Sequence, residues 1–327
     1  MANRLLTLLS AAQIGEFQSR GFWRDETIHA LVRGHARRTP EKVAIRESVR
    51  AVTFAELIDA AERLAGALDE AGVGVGQRVA VWLASRIETA VALLACSRNG
   101  YVCCPSLHRA HTGEEVAELL RRTDAAALIA EAGYGAGGKD IFAAAAGIGG
   151  LKQVLKLPPL VATEAGLFPD IPAAPGSAAV KDDPNTIVYL AFTSGSTGRP
   201  KGVMHSDNTL LANARTLAAD WELGPEMVVY SFSPLSHNLG WGAMIMTLTG
   251  GGEFVVHDLA RGASLLERLD ETGATFLFGV PTHAADLLAE LRRSGRREFA
   301  GIKGFRISGA QPPPELAAGL LEHGIQP

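Results

Sequence analysis

The alternation of short apolar runs with helical patterns constrains the fold of this chain more than any other feature. Between residues 54 and 68 the apolar side chains keep to one stripe at helical spacing, and Gly72 supplies the stop. Beyond it, buried strands are predicted at 78–84, 101–104 and 126–130, and helices at 87–98 and 113–122. Parallel neighbours in a sheet need crossover helices of this length. The sequence therefore predicts an α/β fold of two doubly wound, mostly parallel sheets with flanking helices.

Length and local composition predict how the chain divides. At 327 residues it exceeds a typical single domain. We expect a leader helix in 1–26, a first α/β lobe in 27–157, a linker rich in Pro, Gly and Ala in 158–185, and a second α/β lobe in 186–327. A helix is predicted at 314–321, after which a parallel sheet would continue with another strand. Pro327 is therefore expected to interrupt a repeating unit.

Charge and cysteine usage argue against several classes of protein. The formal net charge of −4 is unlike that of a nucleic-acid binder, and no apolar run approaches the length of a membrane span. Cys96, Cys103 and Cys104 have neither the spacing of a metal site nor that of a disulfide framework. These features predict a protein of the reducing cytoplasm.

A polar, glycine-rich stretch lies near the middle of the chain. It reads Thr193-Ser-Gly-Ser-Thr-Gly-Arg-Pro-Lys-Gly202 and follows an apolar run, so a strand ends where glycine frees the backbone. Hydroxyl groups, backbone N–H groups and Lys201 can together surround an anion. Pro200 and Gly202 break the Walker A pattern, which argues against a P-loop NTPase. A solvated Ser/Gly turn is the alternative interpretation.

The residues around this stretch resemble the phosphate-binding signature of the adenylate-forming superfamily, and most of all that of AMP-forming acyl-CoA and aryl-CoA ligases. The resemblance continues, in the family's order, through Thr53–Leu57, Gly72–Trp82, Ser233–Gly242, Gly279–Thr282 and Ile307–Leu316. It implies the large domain of an acyl-CoA synthetase-like fold, incomplete because the C-terminal lid domain with its lysine is absent. On this basis the fragment is expected to be inactive alone.

The resemblance also implies a reaction and a set of residues. ATP activates a carboxylic acid to an acyl-adenylate, pyrophosphate leaves, and coenzyme A then forms the thioester. Mg²⁺ is expected to bridge the phosphates, with Thr197 as its protein ligand. Lys201 and Thr193 are expected to be catalytic. The phosphate-holding residues implied by the family are Thr193, Ser194, Gly195, Ser196, Thr197, Gly198 and Lys201.

His237 matches a family position beside the substrate carboxylate and the thiol entry path, so we expect it to be catalytic and to contact the substrate. The alternative is an ordinary helix-capping or partly buried histidine. His108 and His111 lie in a loop after Pro105, and two histidines without a third ligand are weak evidence for a metal.

Later motifs supply an acyl pocket and an adenine contact. Trp241, Met244 and Val280 are expected to wall the pocket, and Gly240 and Gly242 to leave space for a ring or chain, unless these residues are plain core. The turn expected against the adenine and the acyl group is formed by Gly309, Ala310 and Gln311. Gln311 replaces the small residue or proline common there.

Three functions stay open at this point. The leading hypothesis is a ligase for a medium-chain, cyclic or aromatic acid. The alternatives are a peptide-synthetase adenylation domain, which usually presents an acidic residue shortly after the segment that begins at Ser233, and a non-catalytic nucleotide-binding fragment. The expected partners are the carboxylic acid, ATP and coenzyme A, without nucleic acid or membrane, and a homodimer stays open.

Overall fold

The computed structural model describes residues 9–137, 140–160, 166–171, 180–181, 183–193, 201–296 and 301–327. Within these residues the chain forms two six-stranded sheets with helices packed between and around them. The predicted α/β class is confirmed.

The first sheet comprises β3 (Arg78–Trp82), β4 (Val102–Cys104), β5 (Ala125–Glu131), β6 (Gln153–Leu157), β7 (Ile187–Thr193) and β8 (Lys201–Ser206). Its strand order is β6-β5-β3-β4-β7-β8, and only β7 and β8 pair antiparallel. Every residue of β3 and β5 is buried, as expected of interior parallel strands covered on both faces. The edge strand β6 alternates between exposed and buried positions instead.

The second sheet comprises β1 (Val43–Arg46), β2 (Ala51–Thr53), β9 (Val228–Ser231), β10 (Glu253–Val256), β11 (Phe276–Gly279) and β12 (Gly304–Ile307). Its order is β12-β11-β9-β10-β1-β2, with β1 and β2 as the antiparallel pair. A parallel bridge between Gly304 and Gln326 adds a further pairing beyond β12, where the sequence predicted another strand.

The sheets do not follow the predicted lobe boundaries. The hairpin β1–β2 belongs to 27–157 in sequence but joins the second sheet, and the hairpin β7–β8 belongs to 186–327 but completes the first. Each sheet therefore draws strands from both predicted lobes, and both sheets are mixed. Much of the predicted linker 158–185 lies outside the described residues.

Two apolar helices occupy the space against the sheets. Every residue of α4 (Ile87–Asn99) is buried, and α8 (Asn238–Gly250) is buried along most of its length. Both contribute to one continuous core that includes residues of both sheets. A helix that is apolar all round requires cover on every side. The helices are α1 (Ala11–Ser19), α2 (Ile28–Arg38), α3 (Phe54–Glu70), α4 (Ile87–Asn99), α5 (Gly113–Arg122), α6 (Ile141–Ala145), α7 (Asp207–Asp220), α8 (Asn238–Gly250), α9 (Leu265–Thr272), α10 (Pro281–Ser294) and α11 (Pro314–Glu322).

Local sequence signals explain where these helices start and stop. Thr53 and Glu56 form a capping box at the start of α3, and Gly72 follows its end with φ of 81°. Ser206 caps α7 in the same way. Within the predicted leader segment 1–26, α1 covers Ala11–Ser19, and residues 1–8 lie outside the described part. Across the described ranges, no helix has the length and apolar character needed to cross a bilayer.

Candidate functional site

The two sheets meet at the carboxyl ends of their strands. His108 follows β4 and His237 follows β9, and their imidazole rings stack with centroids 4.2 Å apart and planes 16° apart. Nearby, the Leu235 backbone N–H donates to Ser85 Oγ, which follows β3, at 2.9 Å. Ligands of open α/β sheets bind outside the carboxyl ends of the strands. We take the region bordered by these loops as the candidate site and refer to it as the cleft.

The β7–β8 hairpin carries the ends of the predicted phosphate-binding stretch. Thr193 and Lys201 are partners in the antiparallel register, and both side chains are exposed. An accessible ammonium beside an accessible hydroxyl fits a polyphosphate. The roles predicted for Ser194, Gly195, Ser196, Thr197 and Gly198 stay predictions, because these residues lie outside the described part of the chain.

Tyr189 connects this hairpin to the start of α8. Its hydroxyl donates to Asn238 Oδ1 at 2.6 Å and is also hydrogen-bonded by Ser106. Its ring stacks on that of Trp241 with centroids 4.9 Å apart. Burial raises the pKa of Tyr189 above its usual value, so the hydroxyl keeps its proton. Sequence reasoning did not assign Tyr189 to the site, although its place in the apolar run before the polar stretch was a usable signal.

His237 stands at the N-cap of α8, but its side chain makes no capping hydrogen bond. The residue as a whole is exposed, but part of its ring is shielded from water, and this partial desolvation lowers the pKa of His237 below the usual value. The imidazole is therefore uncharged at neutral pH. It lies on the loop after β9, at the carboxyl edge of the second sheet, and its place beside a substrate carboxylate stays a prediction.

Gly240 is required by the packing of α8 against the preceding loop. A Cβ at this position would lie 2.4 Å from the Ser233 carbonyl oxygen and 2.6 Å from that of Pro234. The space beside Gly240 is therefore filled by backbone, which corrects the expectation that it leaves room for a substrate. At Gly242 the nearest atom to a Cβ would be Asn213 Nδ2 at 3.9 Å.

The three residues expected to wall the acyl pocket differ in their surroundings. Trp241 and Met244 lie on one face of α8 and are buried at 1% and 0% exposure. Trp241 Nε1 is buried and lacks a hydrogen-bond partner among the described residues. Val280 is half-buried at the end of β11. The assignment of all three to one pocket stays a prediction.

The turn after β12 lies beside the end of β11. The Ser308 N–H donates to the Gly279 carbonyl at 3.0 Å, and Gly309 has φ of 85°, which glycine adopts at little cost. A Cβ on Gly309 would lie 3.3 Å from Val280 Cγ1. Gly309, Ala310 and Gln311 are exposed at the same carboxyl edge of the second sheet as His237, and contact with adenine stays a prediction.

A buried ion network, which the sequence analysis did not identify, joins the two sheets near this edge. Arg86 donates to Glu88 at 2.8 and 3.0 Å and to Glu131, at the end of β5, at 3.1 Å. Arg50 bridges Glu88 and Glu47, the latter just after β1, at 2.6 Å each. Burial opposes the ionisation of Glu88, but the bonds from both arginines outweigh it and lower its pKa. For Glu47 burial prevails and raises the pKa.

The histidines of the cleft are arranged for stacking and not for chelation. His111 stacks on His108 with centroids 5.4 Å apart and planes 15° apart, so His111, His108 and His237 form a ladder. Metal ligands direct their donor atoms at a common point, which nearly parallel stacked rings do not. In the described ranges, no group of three or more His, Cys, Asp or Glu residues is placed to hold a metal ion.

The sequence of this chain is similar to a known protein family and to individual proteins. A family model described as "AMP-binding enzyme" matches residues 32–327. The chain is 30% identical over 292 residues to a feruloyl-CoA synthase of an Amycolatopsis species, covering 89% of this chain and 56% of that protein. It is 28% identical over 294 residues to the phosphinothricin tripeptide synthetase PhsC of Streptomyces viridochromogenes, covering 89% of this chain and 25% of that protein.

Among solved structures, the apo structure of MbtA from Mycobacterium smegmatis has a TM-score of 0.82 at 23% identity, covering 98% of this chain and 59% of that one. This is a likeness of fold. The chain spans about half the length of the feruloyl-CoA synthase, 56% of it. Because the family model extends over nearly the entire sequence, this chain belongs to the AMP-binding enzyme family.

Proposed function

We propose that this chain forms the ATP- and acid-binding part of an acyl-CoA or aryl-CoA ligase. The observation that carries the proposal is the junction at β7. One end of this strand presents Thr193 opposite Lys201, and Tyr189, earlier in the strand, is hydrogen-bonded to Asn238 beside His237. A phosphate-binding hairpin and a histidine at the cleft mouth are thus parts of one connected unit.

In this proposal the phosphates of ATP bind at the β7–β8 hairpin. Lys201, Thr193 and the residues Ser194 to Gly198 hold the β- and γ-phosphates, and Thr197 contacts Mg²⁺. The metal, when bound, neutralises charge that develops on the phosphate oxygens. Gly309, Ala310 and Gln311 border the adenine. The chain's own contribution is to position the phosphates and to place donors where negative charge grows.

The carboxylate lies between the hairpin and His237. Its oxygen attacks the α-phosphorus, the bond to the pyrophosphate oxygen breaks, and an acyl-adenylate forms. The thiol of coenzyme A then attacks the acyl carbon and AMP leaves. A neutral His237 offers one N–H donor to a substrate oxygen without adding a fixed charge, which suits a residue that orients the acid.

The acid is proposed to be medium-chain, cyclic or aromatic. Trp241 and Met244 are assigned to the acyl pocket on the resemblance alone, since both are buried in the core at 1% and 0% exposure, and the Gly-Trp-Gly sequence around Trp241 favours a ring or medium chain over a long chain. A feruloyl-CoA synthase among the relatives agrees with an aromatic acid. The segment after Ser233 has Asn238, Leu239 and Gly240 where a peptide synthetase usually has an acidic residue, which disfavours that alternative.

Activity of the whole enzyme is proposed to need more than this chain. In the family resembled, a lid domain supplies a lysine near the α-phosphate, and without that cation the developing charge is poorly stabilised. The proposal accordingly keeps the expectation that this chain is inactive alone. Its buried, free thiols agree with a reducing cytoplasm as its location.

The test is pyrophosphate release by the full-length enzyme that contains this chain, with a panel of acids, with and without coenzyme A. Coenzyme A-dependent turnover of an aryl or medium-chain acid supports the proposal, and turnover of amino acids without it favours a peptide synthetase. Lys201→Ala should lower kcat/KM for ATP by roughly 10²-fold if the ammonium stabilises the phosphates. The control is Lys156→Ala, an exposed lysine on β6 whose ion pair with Asp140 is 3.9 Å long. Equal ATP kinetics in the two variants would remove Lys201 from the site.

A non-catalytic nucleotide-binding fragment predicts a different result. Calorimetry of this chain with ATP and Mg²⁺ would then show binding, with no acid-dependent pyrophosphate release from either this chain or the full-length protein.

A further inference from the structure

The His237 ring is placed by a neighbour and not by its own hydrogen bonds. Its side chain makes no capping bond to α8, and within the described residues its ring has no hydrogen-bond partner. The imidazole of His108 lies face to face with it at 4.2 Å. An exposed imidazole without hydrogen bonds would sample several rotamers, so the stacked ring is what selects one.

His108 is itself fixed from several directions. Its Nδ1 lies 3.1 Å from Ser236 Oγ, and its backbone N–H donates to His111 Nδ1 at 2.8 Å. Its carbonyl accepts from Trp82 Nε1 at 3.3 Å, and Trp82 is buried in the core. The other face of its ring lies against His111. The ring that supports His237 is therefore anchored to the first sheet and to the loop that carries His237.

The electrostatics of the ladder favour uncharged rings. Burial, followed by the nearby His237 and His111, lowers the pKa of His108 to about 4. These two histidines are the titratable groups that face it, one from its own loop and one from the loop after β9. A proton on one ring disfavours a proton on its stacked neighbour. The His111 Nδ1 atom accepts the backbone N–H of His108 at 2.8 Å, which holds the third ring in the ladder.

We propose that His108 is a positioning residue for His237, holding the His237 imidazole in one orientation at the mouth of the cleft so that its free edge faces the substrate carboxylate. The part concerning the carboxylate rests on the function proposed above. The part concerning the stack does not, because it follows from the two loops alone.

The stack is tested on this chain by NMR titration of the histidine ring signals. The variants are His108→Ala, His108→Phe and Ser236→Ala. In the wild type the His237 midpoint should lie below 6.5. His108→Ala should raise it towards 6.5, because the covering ring is gone, whereas His108→Phe should keep it low, because a ring still covers it. Ser236→Ala frees His108 and should give a smaller rise of the same sign. His205, on β8 and away from the ladder, serves as the internal control and should not move.

The proposal that His108 positions His237 would be overturned if the His237 midpoint, like that of His205, were unchanged in both His108→Ala and Ser236→Ala. Should His108→Ala fail to fold, the Phe and Ser236 variants decide: a His237 midpoint equal to the wild type in Ser236→Ala, or one near 6.5 in His108→Phe, contradicts the proposal.

The catalytic consequence is tested in the full-length enzyme by acid-dependent pyrophosphate exchange. His108→Ala should lower kcat/KM for the acid by about tenfold through misplacement of His237, with KM for ATP unchanged. His108→Phe should restore most of the loss. Equal loss in both variants, or loss in neither, would show that the stack does not serve the reaction. No exchange in the wild type would refute the proposed function, while the titration would still decide whether His108 positions His237.

Discussion

Replacing Gly240 by alanine tests how α8 and the His237 loop are joined. A methyl group there would lie 2.4 and 2.6 Å from two backbone carbonyl oxygens, and real Cβ atoms essentially never come within 3.0 Å of such an atom. Backbone atoms cannot swing aside as a side chain does, so the loop or the helix start must shift. Overpacking of this kind costs about 1–3 kcal/mol, and the gain in helix propensity recovers at most about 1 kcal/mol. We expect Gly240→Ala to lower the free energy of unfolding by about 1–2 kcal/mol.

Gly242→Ala is the matched control, since it adds the same methyl group to the same helix. Its Cβ would meet only Asn213 Nδ2, at 3.9 Å, so the helix-propensity gain should remain and stability should rise by about 0.5–1 kcal/mol. Urea unfolding followed by circular dichroism measures both variants against the wild type. The reasoning is refuted if Gly240→Ala is as stable as Gly242→Ala, because the close approach would then impose no cost.

Two further predictions concern buried charge. Glu88→Gln should lower the free energy of unfolding by about 3 kcal/mol, because Arg50 and Arg86 lose the carboxylate that they share. The exposed control, Glu118→Gln, should cost less than about 0.5 kcal/mol. Equal values for the two variants in urea unfolding would contradict the role of the network. His29 is fully buried, and burial, then Arg33 and Arg98, lowers its pKa to about 3 from 6.5. Its folded pKa lies below its unfolded one, so this contribution, on the order of 5 kcal/mol, is present above pH 6.5 and is lost as the pH falls towards 3. His29→Leu should flatten the unfolding free energy over that range, and a slope like that of the wild type would exclude the group.

Helix boundaries could be predicted because their causes are local. The start of α3 depends on Thr53 and Glu56, which lie close in sequence, and its end depends on Gly72. β6 has a local signal of the same kind, because its buried Leu155 and Leu157 alternate with exposed neighbours. The sequence analysis nevertheless predicted no strand there.

Strand membership could not be predicted, because it depends on pairings between distant segments. Ile45 pairs with Phe254, and Cys103 with Tyr189, and periodicity within a segment carries no information about either partner. β8 was missed for a second reason, because its first two residues, Lys201 and Gly202, belong to the polar stretch. Its two apolar residues, Val203 and Met204, are adjacent and so do not alternate as in a half-buried strand.

The candidate site has the same two kinds of signal, some contiguous in sequence and some present only in the folded chain. The resemblance marks Lys201 and His237 because their motifs are contiguous in sequence. His108 was considered only as a weak metal ligand, since its relation to His237 exists only after two loops from different sheets meet. The ion network is hidden for the same reason, as Glu47, Glu88 and Glu131 come from separate elements.

The cationic side chains discussed above fall into two groups: those paired with buried carboxylates and one that is accessible to a ligand. Arg50 and Arg86 are engaged by buried carboxylates, and withdrawing either guanidinium to meet a ligand would leave a carboxylate uncompensated at a cost of several kcal/mol. They can therefore fix the relation between the sheets but not neutralise a polyphosphate. Lys201 is exposed at the first position of β8, where its charge is available to an anion and screened by salt. In the function proposed above, a triphosphate at the hairpin would therefore meet the ammonium of Lys201, whereas the charges of Arg50 and Arg86 stay committed to their carboxylates.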